Sequence, residues 1–174
     1  MEVMGIMGFG LKWRQWILAC LKSASISILV NGSPTLEFNL RRGIRQGDPL
    51  SPFFFIIAAE GLNALSKMAV SNNLFSGVEI GKDKVCISHL QYADDTIFFC
   101  EWNPQNIRNL MKLLKCFELT SGLKINYGKS SLFGLGVDQH ETAFMAKCYD
   151  CKIGSVPFNY LGLPIGANMN KMSS

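Results

Sequence analysis

Histidine is scarce in this chain of 174 residues: there are two, His89 and His140, and they are distant in sequence. A structural zinc site needs four ligands at suitable spacing, so Cys148 and Cys151 with His140 upstream fall short of one. Long apolar runs are wanting too. The longest, Pro49 to Ala59, is broken by Ser51 and followed by Glu60, whereas a bilayer span takes roughly 20 residues. A buried helix is the simpler reading, and no membrane partner is expected. The chain shows no internal repeat, low-complexity run or linker, and nothing in it resembles a secretory leader. Its six cysteines are scattered. Together these point to a reduced, intracellular protein of nucleus or cytoplasm, not a secreted one. Charged residues make up only 17% against 48% hydrophobic, which excludes a disordered tail.

What is present suits a globular domain with a real core. The net charge of +4 mildly favours an anionic partner and decides nothing alone. Met1 to Gly10 carries no clear period. From Leu11 a helix is predicted, because Trp13, Trp16, Ile17, Cys20 and Leu21 recur at three- and four-residue steps. The two tryptophans fit a core-facing stripe better than a base-stacking platform. Ser25 to Leu40 alternates about Asn31-Gly32 and predicts a β-hairpin. Arg41 to Pro49 reads as a loop, and a helix to about Met68 follows, with Ser51 as N-cap and Pro52 in the first turn. Val85 to Leu90 and Thr96 to Cys100 read as strands on either side of Gln91 to Asp95. Asn103-Pro104 starts another helix and Gly122 stops it. Leu123 to Asn126 and Ser131 to Leu135 are short strand candidates. Asp138 caps a helix to about Cys151, and Phe158 to Ile165 makes a terminal turn and strand. The order predicts an α+β domain with helices against one antiparallel sheet.

The adjacent carboxylates Asp94 and Asp95 are the most informative feature. At a hairpin tip beside a core they repel each other, and such a pair usually needs a cation; hard oxygen ligands suit Mg²⁺ or Mn²⁺. Aspartate is also a preferred turn residue, so a merely solvated turn is the alternative.

The segment Gln91-Tyr92-Ala93-Asp94-Asp95-Thr96-Ile97-Phe98-Phe99 resembles the Tyr-Ala-Asp-Asp box of reverse transcriptases. Arg42-Gly43-Ile44-Arg45-Gln46-Gly47-Asp48-Pro49-Leu50-Ser51-Pro52 resembles the family's loop-to-helix segment over the incoming nucleotide and template. Gly122-Leu123-Lys124-Ile125-Asn126, with Lys129 and Ser130, resembles the next box. Tyr160-Leu161-Gly162-Leu163-Pro164-Ile165-Gly166 resembles the primer grip as worded in plant LINE-type (non-LTR) retrotransposons. Four boxes in the family's order cover nearly the whole chain.

The resemblance implies a partial polymerase palm over residues 1–174, an antiparallel sheet with helices packed on one face. It implies an RNA template, a DNA primer and deoxynucleotides as partners of the intact parent, and Mg²⁺ or Mn²⁺ as cofactor; oligomeric state is left open. Asp94 is the expected catalytic metal ligand, with Asp95 assisting. Gly47 lets backbone approach a ligand closely, Gln46 offers donor and acceptor to a base or sugar, and Arg42 and Arg45 could contact phosphate. Tyr92 completes the nucleotide and template set. Solvated charges and an ordinary loop turn are the alternatives for the Arg42 to Gly47 stretch. Lys129 could stand near the leaving pyrophosphate and donate a proton; a plain surface lysine is the alternative, and Lys124 a rival. Tyr160, Leu161 and Gly162 could hold the primer end, or Tyr160 and Leu161 could pack into the core.

A further aspartate is expected from an aromatic-led strand upstream. Before Asp48 the acidic residues are Glu2 and Glu37, and neither has that setting. The chain is therefore expected to lack that box, most of the fingers and the thumb. Two readings stand: part of a reverse transcriptase completed by other sequence, or a catalytically inactive remnant with weak or no nucleic-acid binding.

Overall fold

Where no period marks the opening residues, a short helix forms, α1 (Glu2–Ile6); five residues are too few to display one. The computed structural model describes residues 1–40 and 47–167. These fall into two compact units, one ending at Leu123 and the other beginning at Lys124.

In the first unit α2 (Leu11–Lys22) stands where the spacing predicts it. Met4 of α1, Ile17 of α2 and Ile57 further on bury together, with Val3, Phe9 and Phe54 packed against them. The expectation of a core-facing tryptophan stripe is corrected here. Trp13 is 42% and Trp16 54% exposed, and Ile17 is the buried residue of the helix. Successive residues turn by about 100° around a helix, so Ile17 and Trp16 look in different directions, and only the Ile17 side meets α1.

The hairpin predicted over Ser25 to Leu40 is present. β1 (Ser25–Ile26) pairs with β4 (Phe38–Asn39), and β2 (Leu29–Val30) with β3 (Ser33–Pro34). Asn31 at φ 50 and Gly32 at φ 82 make the turn between β2 and β3, the left-handed pair that suits the twist of a hairpin.

α3 (Ser51–Ser71) starts as expected and runs three residues beyond Met68. Leu50, not Ser51, occupies the N-cap. Asp48 orders the entry instead: its Oδ1 accepts from the Leu50 N–H at 2.8 Å, and Ser51 is the first helical residue. By length and composition alone α3 is long and apolar enough to cross a membrane. It carries Glu60 and Lys67, buries Ile57, Gly61, Leu62 and Ser66, and packs against α1 and α4 (Pro104–Ser121); with 22% of its apolar stretch buried, the helix expected to be buried is so only in part.

Between α3 and α4 lie two hairpins. β5 (Val78–Ile80) pairs with β6 (Val85–Ile87), and β7 (His89–Tyr92) with β8 (Asp95–Phe98). α4 begins as predicted, with Asn103 Oδ1 accepting from the Gln105 N–H, and stops at Gly122, φ 77. Ile107, Leu113, Leu114 and Phe117 are its buried apolar residues. Buried Asn106 donates to the carbonyls of Ser76 and Glu101 at 3.0 and 3.1 Å and accepts from the Ser76 N–H at 2.9 Å. That clamps the segment holding Phe75, one of the most buried side chains, at 2% exposure.

Where the second unit begins, the strand expected at Leu123 to Asn126 is absent. Asn126 instead caps a 3₁₀ turn, Tyr127–Lys129, by accepting from the Lys129 N–H, the local bond by which asparagine competes with strand. β9 (Ser131–Leu132) pairs in parallel with β10 (Lys152–Ile153), and α5 (Gln139–Cys148) connects them. Asp138 caps α5 as predicted, accepting from the N–H groups of His140 and Glu141; the helix ends at Cys148, short of Cys151. β11 (Phe158–Tyr160) and β12 (Leu163–Ile165) close the described chain as an antiparallel hairpin.

The class is mixed α+β, as expected. In place of one antiparallel sheet, the described strands form six two-stranded pairs, five antiparallel and one parallel. The described strands run only two to four residues, shorter than the roughly five or six usual in a sheet.

Candidate functional site

The alternation of apolar and polar residues through His89 to Phe98 makes two short strands, and the register closes them tightly. Tyr92 pairs with Asp95, Gln91 with Thr96, Leu90 with Ile97 and His89 with Phe98. Only Ala93 and Asp94 remain as the loop. Ala93 has φ 50, the positive value that a two-residue hairpin asks of its first loop position. Gln91 Nε2 donates to the Ala93 carbonyl at 3.3 Å and braces that strained residue.

Paired residues share a face of a hairpin. One face carries Leu90, Tyr92, Asp95 and Ile97, of which Leu90 is 50% and Tyr92 64% exposed. The other carries His89, Gln91, Thr96 and Phe98 and turns toward α3. Asp94 and Asp95 are both exposed at the tip. They are hard oxygen donors that suit Mg²⁺ or Mn²⁺, and they fit such an ion in part. Among the described residues no group of three or more His, Cys, Asp and Glu stands ready to hold one.

Between the hairpin and α3 lies a cleft of ≈ 310 Å³, lined by Phe55, Ile56, Ala59, Glu60 and Asn63 on the helix and by His89, Gln91 and Ala93 on the strand side. His89 hydrogen-bonds Ser88 through Nδ1 at 3.0 Å and stacks on Phe98 at 5.5 Å. Burial, and then the Lys67 ammonium, hold its pKa below the usual imidazole value. The sequence reading missed this cleft. Period-two spacing of His89, Gln91 and Ala93 was the available signal, but nothing local says that α3 lies opposite.

The other site candidates are spread out. Gly47 has φ 83 with open space where a side chain would be, and sits just before the Asp48 turn into α3. Arg42, Arg45 and Gln46 lie outside the described residues. Lys129 ends the 3₁₀ turn of the second unit. Tyr160, Leu161 and Gly162 form the tip of the β11–β12 hairpin, where Leu161 has φ 52 and Gly162 φ 79; Tyr160 is half-buried and Leu161 47% exposed. The structure thus unites Tyr92, Asp94 and Asp95 on one hairpin. Lys129 and the Tyr160 to Gly162 tip belong to the other unit.

The paired carboxylates on the hairpin tip are two of the several oxygen donors that a bound divalent cation takes. Comparison with known proteins then gives the family. Residues 5–165 match the family model described as reverse transcriptase (RNA-dependent DNA polymerase), and the chain belongs to that family. Among its relatives is an uncharacterized mitochondrial protein of Arabidopsis thaliana, 33% identical over 108 residues, covering 62% of this chain and 88% of that protein. Another is the retrovirus-related Pol polyprotein from the type-1 retrotransposable element R2 of Popillia japonica, 31% identical over 116 residues, or 66% of this chain and 15% of that one. A third is the uncharacterized 149 kDa protein of transposon TX1 of Xenopus laevis, 28% identical over 165 residues, or 91% of this chain and 12% of its own length. The matched part is thus a small fraction of either transposon protein.

Proposed function

We propose that this chain supplies the Tyr-Ala-Asp-Asp turn and part of the palm of an RNA-directed DNA polymerase from a LINE-type, non-LTR retrotransposon. The observation that carries the reading is the β7–β8 hairpin, which lifts Asp94 to its tip and sets Asp95 across from Tyr92. Family membership supports it. The partners are an RNA template, a DNA primer and deoxynucleotides.

Asp94 is the principal ligand for Mg²⁺ or Mn²⁺, and Asp95 assists. When bound, such ions supply alignment and charge stabilisation to an in-line displacement at phosphate. The chain's own side chains divide the rest. Tyr92, exposed beside Asp95, offers a ring to the nucleotide, and Gly47 leaves room for close backbone approach, joined by Arg42, Arg45 and Gln46. Lys129 holds a proton for the leaving pyrophosphate, and the Tyr160 to Gly162 tip steadies the primer end.

Two carboxylates on one turn are half of what two-metal chemistry requires, since several must converge on ions roughly 3.5–4 Å apart. Among the described residues no such group forms. The same shortage favours the second reading, a catalytically inactive remnant. In both, this polypeptide by itself leaves a primer unextended. The test is primer extension on an RNA template with Mg²⁺ or Mn²⁺, beside an Asp94→Ala control. No product is expected from either chain. Extension by the native chain that disappears in Asp94→Ala would show that the chain completes its own site, overturning the half-site account.

A further inference from the structure

Helix α2 turns its aromatic side to solvent. The exposed rings of Trp13 and Trp16 meet edge to face with centres 6.0 Å apart, and Lys12 Nζ stands 5.2 Å from the centre of the Trp16 ring. Further along the same stripe come Ala19, Cys20 and Ser23, all small and exposed, so beyond this ledge of two indoles the stripe carries no bulky side chain. Lys12, Arg14 and Lys22 give the helix its charge, and it contains no acidic residue.

We propose that this ledge binds a single-stranded segment of nucleic acid, one base stacking on Trp16 and a neighbouring phosphate pairing with Lys12. The proposal rests on the nucleic-acid reading above and extends it to a surface away from the acidic turn. Charge and shape select the occupant together. A polyanion whose bases have flat π faces satisfies both the indoles and the ammonium beside them. A lipid surface calls for bulky apolar residues along a whole helix face, and this one falls away to Ala19 and Ser23 after the two indoles. A second copy of the chain would bring like charges from Lys12 together.

The experiment is binding of a short fluorescein-labelled single-stranded RNA of mixed sequence to the full chain, followed by anisotropy across a salt series. Trp16→Ala is expected to weaken binding about 5- to 100-fold, the loss of one base–aromatic stack. Trp16→Phe keeps a ring and most of the affinity, which separates stacking from misfolding. Lys12→Gln lowers the salt slope by about one. In a Trp102→Phe background the remaining tryptophan emission, from Trp13 and Trp16, is quenched on RNA addition. RNA binding that persists unchanged in Trp16→Ala overturns the ledge and leaves the polymerase reading standing. A native chain that binds no RNA at any salt overturns the ledge, while the polymerase reading, which concerns the acidic turn, is judged by Mn²⁺ binding at Asp94. Self-association that is lost in Trp16→Ala while RNA affinity holds assigns the ledge to a second copy, and also overturns the proposal.

Discussion

Ala93 is held at φ 50, a left-handed conformation that costs a residue with a Cβ roughly 1–2 kcal/mol. The hairpin tolerates it because Tyr92 and Asp95 are already paired on either side, and Gln91 ties down the Ala93 carbonyl. Strain of this kind gathers where a side chain must be aimed, and here the next residue is Asp94. Ala93→Gly is expected to raise the urea midpoint, with a gain of up to about 1 kcal/mol. Ala93→Val is expected to lower it, since a β-branched residue suits positive φ still less. A loss of stability in Ala93→Gly would mean that the turn is not strained. His89 gives a pH signature. Its folded pKa is depressed by burial and by Lys67, so well above the usual imidazole value of 6.5 both states are neutral and it contributes no slope. As the pH falls below 6.5, the unfolded chain takes up the proton more readily, and stability declines until the folded imidazole protonates as well. His89→Gln is expected to flatten that acid-side decline in denaturation midpoints between about pH 7 and pH 5; an equal decline in the variant would remove His89 from the account.

Among elements, the features readable from sequence are those decided within a few residues. Asn103, Gly122 and Asp138 bound their helices as predicted, because each cap is a bond or a backbone conformation made locally. Asn31-Gly32 was legible for the same reason; a turn near Asp94 was too, but the connection expected over Gln91 to Asp95 shrinks to Ala93 and Asp94, and the single strand expected over Val85 to Leu90 is divided between β6 and β7. Ser51 misled, because Asp48 three residues earlier orders the same helix entry. Leu123 to Asn126 misled because Asn126 binds its own downstream backbone. Which side of α2 meets a neighbour could not be read at all: period 3.6 marks a face but not the element opposite, and the tryptophans sit on the open side. Contacts of long sequence separation carry a large share of the first unit's order. Asn106 reaches back thirty residues to both backbone groups of Ser76. Asn106→Ala leaves those groups buried without partners and is expected to cost about 1–3 kcal/mol by chemical denaturation. A change well under that would mean water replaces the amide there.

At the scale of the molecule, family and class were both legible, because ordered boxes and short amphipathic segments survive in any single sequence. A single sheet was not, because joining hairpins edge to edge depends on contacts between elements that local pattern does not encode. The described chain forms two compact units; the acidic turn is in the first, while Lys129 and the Tyr160 to Gly162 tip are in the second. The hairpin tip is the part of the proposed polymerase site that lies within one local element. The most direct test is titration of Mn²⁺ into the isotope-labelled chain, read as paramagnetic broadening of backbone amide signals. Broadening is expected first at Ala93, Asp94 and Asp95, with weak, saturable affinity, and it should vanish in Asp94→Ala. Broadening that spreads evenly over other exposed acidic residues such as Asp83 and Asp138, or that survives Asp94→Ala unchanged, would contradict the assignment of this turn as the chain's metal-binding half-site.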